Sequence, residues 1–144
     1  MKRHINGVTL NVEERGNDAN GARPVLVFLH YFGGSSRAWF PLLDRLENSF
    51  RCIAPDLRGW GDSEATETGY AVAQVATDTA ALIGALTIER YVLVGHSMGG
   101  KAALALASRQ PTGLDALILL APSPPTPEPI EDAERARLLQ THPD

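Results

Sequence analysis

Tyr91-Val92-Leu93-Val94-Gly95-His96-Ser97-Met98-Gly99 is the stretch whose reading decides the fold. Its apolar start reads as a strand. The run that follows, Lys101-Ala102-Ala103-Leu104-Ala105-Leu106-Ala107, reads as a helix. Between them lies a G-x-S-x-G pentapeptide. A turn this tight pushes the Ser97 hydroxyl out above the sheet and holds Ser97 in a strained backbone region. A side chain at position 95 or 99 would collide with neighbouring backbone, and glycine removes the collision.

The rest of the chain sets limits on what this turn can serve. Its 144 residues suit one domain with one core. Hydrophobic residues make up 44%, enough for a folded chain. The net charge of -4 is mild, and no basic stripe marks a nucleic acid or an anionic membrane as partner. The single cysteine, Cys52, allows no internal disulfide and sits in an apolar run that suggests a buried thiol. No cationic-then-apolar leader opens the sequence, and no apolar run nears the roughly 20 residues that span a bilayer. The expectation is a soluble cytoplasmic protein.

Strand and helix signals alternate along the chain. Asn6-Gly7 between strand-like residues predicts a hairpin, and Val8 to Glu14 alternates as a strand with one wet face. Val25 to Leu29 is continuously apolar, as in a strand buried on both faces. Ser35 or Ser36 can cap a helix running to about Leu46. Arg51 to Ala54 reads as a short strand ended by Pro55, followed by a glycine-rich loop from Asp56 to Ser63. A helix is predicted from about Ala71 to Leu86, with Val75, Leu82, Ile83 and Leu86 in the core. The Ser97 turn follows, with its strand from Tyr91 to Gly95 and its helix from Met98 to about Arg109. Another buried strand is expected from Asp115 to Ala121. Five prolines between Pro122 and Pro129 then interrupt regular structure, and a short helix is expected from Glu131 to Gln140. This alternation implies an α/β fold: a mostly parallel, doubly wound sheet with an amino-terminal antiparallel hairpin. Sites in such sheets lie beyond the carboxyl ends of the strands, so the loops after Leu29 and Val94 are the candidates.

Three motifs stand in order: Leu29-His30-Tyr31-Phe32-Gly33-Gly34, Asp56-Leu57-Arg58-Gly59-Trp60-Gly61-Asp62-Ser63 and Gly95-His96-Ser97-Met98-Gly99-Gly100. Together they resemble the α/β-hydrolase fold superfamily, especially its esterase, perhydrolase and carbon–carbon bond hydrolase branches, from His4 to Ala121. The resemblance implies Ser97 as nucleophile and the backbone N–H groups of Met98 and Phe32 as oxyanion donors. Gly95, His96, Gly99 and His30 would support the turn and the oxyanion loop. It implies a small acyl substrate, and no cofactor or metal is expected. Family members usually carry His-Gly where this chain has His30-Tyr31, so the oxyanion loop is expected to take a different path. An epoxide hydrolase or dehalogenase fits poorly, because those relatives carry aspartate at the position of Ser97.

The resemblance also implies an acid and a histidine on later strands, after a cap. The sequence ends at Asp144, so residues 1–121 read as the amino-terminal part of the core and 122–144 as the start of the cap. None of the four histidines is a good base for Ser97. His4 belongs to the hairpin, and His30 is better suited to ordering the oxyanion loop. The side chain of His96 diverges from that of Ser97, and nothing holds His142 above the site. Among the carboxylates, Asp56 is expected to pair with Arg58 within its loop, and Asp62 and Ser63 to shape the turn. Asp115 points away from the site, while Glu131, Asp132 and Glu134 line a solvated helix face. Lys101 is read as solvated or ion-paired, and Trp39 and Trp60 as packing residues. The glycine-rich loops match neither nucleotide-binding pattern, and no metal-ligand spacing is present.

The strand at 115–121 is expected to have an unpaired apolar edge. That edge would take a complementary carboxyl-terminal fragment or a second copy of the chain. The leading reading is a serine hydrolase acting on a small ester or related acyl substrate. A cofactor-free perhydrolase or haloperoxidase would use the same residues. A non-catalytic binding or assembly fragment is the alternative from another class.

Overall fold

The computed structural model describes residues 1–17, 21–127 and 131–140. Strands β1 (Lys2–Ile5) and β2 (Val8–Arg15) form the expected hairpin. Asn6 and Gly7 turn between them with φ of 47° and 74°, the positive angles that a two-residue turn of this hand needs. Val8, Leu10 and Val12 of β2 are fully buried, while the residues between them are half-buried.

Four more strands complete one sheet: β3 (Val25–Leu29), β4 (Cys52–Pro55), β5 (Tyr91–His96) and β6 (Leu114–Leu120). The strand order is β1-β2-β4-β3-β5-β6. β2 pairs antiparallel with β4, and the β4–β3, β3–β5 and β5–β6 pairs are parallel. Helices α1 (Phe40–Leu46), α2 (Val72–Ala85) and α3 (Met98–Ala107) connect the parallel strands, and α4 (Asp132–Gln140) follows β6.

The period-2 alternation of a strand, with both faces covered, explains why β3 and residues Tyr91 to Val94 of β5 are continuously apolar. Val27, Leu29 and Leu93 face one layer, where Leu82 of α2 and Ala103 and Leu106 of α3 pack. Phe28, Val92 and Val94 face the other, against Trp39 and Leu43. Helices thus cover both faces, and the loops after β3 and β5 emerge side by side at one end of the sheet.

Three local expectations change in detail. The predicted helix from Ser35 begins as a 3₁₀ turn over Ser36–Trp39, and α1 starts only at Phe40. Pro41 is the reason: it lacks an N–H to bond backward and is tolerated only in a first turn. Ser35 is extended at that start but its side chain makes no capping bond. The strand expected over Arg51 to Ala54 and ended by Pro55 runs over Cys52–Pro55, with Pro55 itself as the last strand residue, opposite Val12. The strand near residues 115–121 is buried on one face only. Leu117 and Leu119 pack against the core, whereas Ile118 and Leu120 are 47% and 42% exposed. β6 is an edge of the sheet, paired with β5 alone among the described residues.

Candidate active site

Ser97 is the one residue between β5 and α3, with φ 52° and ψ −116°. Few non-glycine residues adopt such angles, and they persist only where surroundings enforce them. The enforcement is steric and local. A Cβ on Gly95 would lie 2.5 Å from the Gly99 carbonyl oxygen and 2.6 Å from Gly100 Cα. A Cβ on Gly99 would run into the Leu29 oxygen and lie 2.5 Å from that of His30. The glycine spacing therefore lets α3 fold back directly against the ends of β5 and β3.

The backbone of Ser97 is tied on both sides. Its N–H donates to the Leu120 oxygen (3.1 Å), and its own oxygen accepts from the N–H of Lys101 (3.1 Å) and of Ser123 (3.0 Å). Its Oγ lies 3.5 Å from Ser123 Oγ. Sequence reasoning missed Ser123, whose position between two prolines offers no signal.

His30 is fully buried at the end of β3. Its Nε2 accepts the Leu57 N–H at 2.9 Å. Nδ1, 2.8 Å from the Tyr31 oxygen, must then carry the proton and donate it. Burial holds the imidazole below its ordinary pKa despite the Tyr31 carbonyl and Asp56. Both ring nitrogens are committed to joining the loop after β3 to the loop after β4.

The loop after β3 closes as a tight turn, with Gly34 N–H donating to the Tyr31 oxygen at 3.0 Å. The positive φ, 78°, falls on Gly33 and not on Tyr31. The tyrosine is accommodated because glycine one step past Phe32 absorbs the left-handed angle. Phe32 packs edge-on to Trp60 (4.8 Å between ring centres) and Tyr31 edge-on to His96 (5.3 Å). Neither the Phe32 nor the Met98 N–H is taken up by a turn or loop hydrogen bond among the described residues. Met98 opens α3, whose first N–H groups carry the positive end of the helix dipole. A hollow of about 660 Å³ opens beside this loop, bounded by Tyr31, Gly33, Gly34, Ser35 and Trp60; Ser97 is half-buried and is not part of its lining.

Asp56 does not pair with Arg58. Its Oδ1 accepts the Ser36 N–H at 2.6 Å, and its Oδ2 accepts the Asp62 N–H (2.9 Å) and Asn11 Nδ2 (3.0 Å). Burial alone would raise its pKa, but these donors outweigh it and hold the carboxyl below the usual range. Ser63 Oγ donates to the Asp56 oxygen (2.6 Å), so Asp62 and Ser63 do shape this turn. Arg58 instead reaches Asp78 of α2. The sequence signal for Asp78 is its place as a carboxylate in the buried stripe with Val75, Thr79 and Leu82.

The remaining candidates lie apart. His4 meets Thr9 Oγ1 (3.2 Å) in the hairpin, and the His96 ring meets those of Tyr31 and Trp39 edge-on. Lys101 Nζ donates to the Thr126 oxygen (3.0 Å), Asp115 pairs with Arg90 (2.7 Å) and Glu134 with Arg137 (2.6 Å). His142 lies outside the described residues. Among the described residues, Ser97 Oγ faces a hydroxyl and not an imidazole.

A family model for the alpha/beta hydrolase fold matches residues 24–142. The chain belongs to that family. It is 34% identical over 134 residues to the 2-(acetamidomethylene)succinate hydrolase of Mesorhizobium japonicum, matching 93% of this chain and 46% of that relative. The solved structure of Est816, an N-acyl homoserine lactone degrading enzyme, superposes with a TM-score of 0.84 at 26% identity, over 98% of this chain and 52% of the other. The epoxide hydrolase CorEH superposes with a TM-score of 0.78 at 31% identity, over 85% of this chain and 41% of the other. This α/β-hydrolase chain thus spans about half the length of the relatives it matches. Among its described residues, no helix is long and apolar enough to cross a membrane.

Proposed function

We propose that this chain carries the nucleophile and oxyanion hole of a serine hydrolase for a small ester or related acyl substrate. Ser97 Oγ attacks the carbonyl carbon, and the N–H groups of Met98 and Phe32 receive the developing oxyanion. Gly95 and Gly99 permit the turn, and His30 and His96 support it through the loop after β3. The observation that carries this reading is the strained Ser97 backbone, φ 52° and ψ −116°, at the start of α3. An aspartate-nucleophile reaction, as in the epoxide hydrolase branch, is disfavoured by the serine at this position.

The base that takes the Ser97 proton comes, in this proposal, from a complementary segment that pairs with the edge of β6. The unpaired edge of β6 supports that placement, as do the uncovered face that carries Ile118 and Leu120 and the chain's span of about half of its relatives. Peroxide in place of water as the second acceptor would give perhydrolase chemistry with the same residues. A binding or assembly role without turnover is favoured by one observation, the hydroxyl and not an imidazole beside Ser97 Oγ. Fluorophosphonate labelling of the natural full-length protein separates the readings. Labelling that maps to Ser97 and disappears in Ser97→Ala is the expected result. No labelling in the wild type, with the fold intact, would overturn the hydrolase reading.

A further inference from the structure

We infer that Asn6 is a modification site gated by the fold: its side-chain amide is lost by spontaneous deamidation once the opening hairpin lifts away from α2, and the carboxylate left behind breaks the hairpin's tie to Asp78. The inference does not depend on the nucleophile assignment.

Asn6-Gly7 is the turn of the hairpin, and both residues are exposed to water. Glycine after asparagine leaves its own nitrogen unshielded by a side chain. Nothing lies within 4 Å of where a Gly7 Cβ would stand, so no neighbour shields it either. In the reaction the Gly7 nitrogen bonds Asn6 Cγ, the Cγ–Nδ2 bond breaks, and the Gly7 proton leaves with the amide as ammonia. Water then opens the cyclic succinimide at either of its carbonyl carbons. One opening gives aspartate. The other gives isoaspartate, in which the main chain runs through Cγ. Water is the only co-reactant.

The fold holds the amide off that path. Asn6 Nδ2 donates to Asp78 Oδ1 at 2.6 Å, across to α2. Arg58 Nη2 reaches the Asn6 carbonyl oxygen at 3.4 Å. Asp78 and Arg58 are themselves buried and paired. While the amide is bonded to Asp78, Cγ cannot swing back onto the nitrogen of the next residue. Attack therefore waits for a local opening of this edge hairpin.

Reclosing does not undo the change. An aspartate at position 6 has no N–H to offer, and its oxygen would meet Asp78 Oδ1 where the amide nitrogen met it. Two carboxylates that close repel each other. The new side chain turns to solvent, and Asp78 keeps Arg58 and Gln74 but loses the hairpin. Isoaspartate adds a carbon to the main chain of a two-residue turn, and the Ile5–Val8 pairing that the turn sets no longer closes.

The test incubates the natural full-length protein in mildly alkaline buffer, folded and in urea, and maps its peptides by mass. Mapping separates Asn6 from Asn20, the other Asn-Gly of the chain. In urea both should convert at similar rates. In the folded protein Asn6 is expected to convert about ten- to a hundredfold more slowly than in urea, the worth of one hydrogen bond to a charged acceptor. Converted protein, separated by ion exchange, should unfold at lower urea than unconverted protein, and Asn6→Asp should move the midpoint the same way. Equal rates at Asn6 in the two states would overturn the gate. An unchanged midpoint in both the converted protein and Asn6→Asp would overturn the coupling to Asp78. Should Asn6 stay intact in urea while Asn20 converts, the site itself fails.

Discussion

Arg58 and Asp78 form a two-pronged buried ion pair: Nε donates to Oδ2 and Nη2 to Oδ1, both at 2.9 Å. The side chains are 7% and 5% exposed. Asp78 also accepts from Asn6 Nδ2 at 2.6 Å and Gln74 Nε2 at 3.2 Å. One carboxylate thus joins α2, the loop after β4 and the turn of the opening hairpin. Asp78→Ala would strand a guanidinium in the interior at a cost of about 3–5 kcal/mol, whereas Arg58→Met with Asp78→Ala should cost less. Urea unfolding of the two single variants and the double variant measures this. A single-variant loss below about 1 kcal/mol would contradict it.

Ser97→Gly should stabilise the fold while removing the hydroxyl. Glycine adopts φ 52°, ψ −116° without the Cβ penalty, which is worth about 1–2 kcal/mol at such a position. Glycine's more flexible unfolded chain offsets part of that gain. The expected result is a higher urea midpoint than for Ser97→Ala. Equal midpoints would mean that the backbone at Ser97 is not strained.

Gly99→Ala should be among the most damaging small substitutions. Its Cβ has backbone oxygens of Leu29 and His30 in its way, and carbonyls at a strand end cannot rotate aside. A loss above about 3 kcal/mol is expected, enough to remove most folded protein from a marginally stable domain. Gly84, where nothing lies within 4 Å of an added Cβ, is the control: Gly84→Ala should be neutral or stabilising. Circular dichroism melts of the pair test the contrast.

Acid should lower the stability of the protein in two stages. His30 is held below its ordinary pKa by burial, so below about pH 6.5 the unfolded chain binds a proton that the fold does not. Its contribution is complete above about pH 6.5 and declines as pH falls toward the folded value. Asp56 is likewise depressed, so its contribution is complete above about pH 3.9 and is lost as pH falls through its folded value. His30→Gln, with no proton to gain, should flatten the upper stage and leave the lower one. Urea midpoints measured across this range would show an unchanged upper slope if the assignment is wrong.

Cys52 should be silent in the folded protein. It is fully buried, and burial with a smaller push from Glu47 raises its thiol to about 11. A disulfide reagent is expected to modify it only at the rate of unfolding. Rapid reaction of native protein would refute this burial.

The candidate site was legible where its logic is local. Gly95, Ser97 and Gly99 announce their turn because a strand and a helix joined by one residue leave no room for other side chains. His30 could be assigned to loop ordering by its neighbours, though its bond to the Leu57 N–H could not be read. Tyr31 suggested a rerouted loop; Gly33 carries the left-handed angle instead, a substitution within the same short turn. Asp56 and Arg58, two residues apart, form no pair with each other. The pair Arg58 makes with Asp78 depends on α2 lying beside the β4 loop, and no local pattern encodes that.

The order of elements, the doubly wound class and the serine at its crest follow from the chain's own periodicities, because strand, helix and tight turn are each selected by neighbours a few residues apart. The partners of Asp56, Asp78 and Ser123, and the single covered face of β6, were decided only when distant segments packed together. Burial makes those choices: a polar group taken out of water must find a partner wherever the fold brings one, however far along the chain that partner lies.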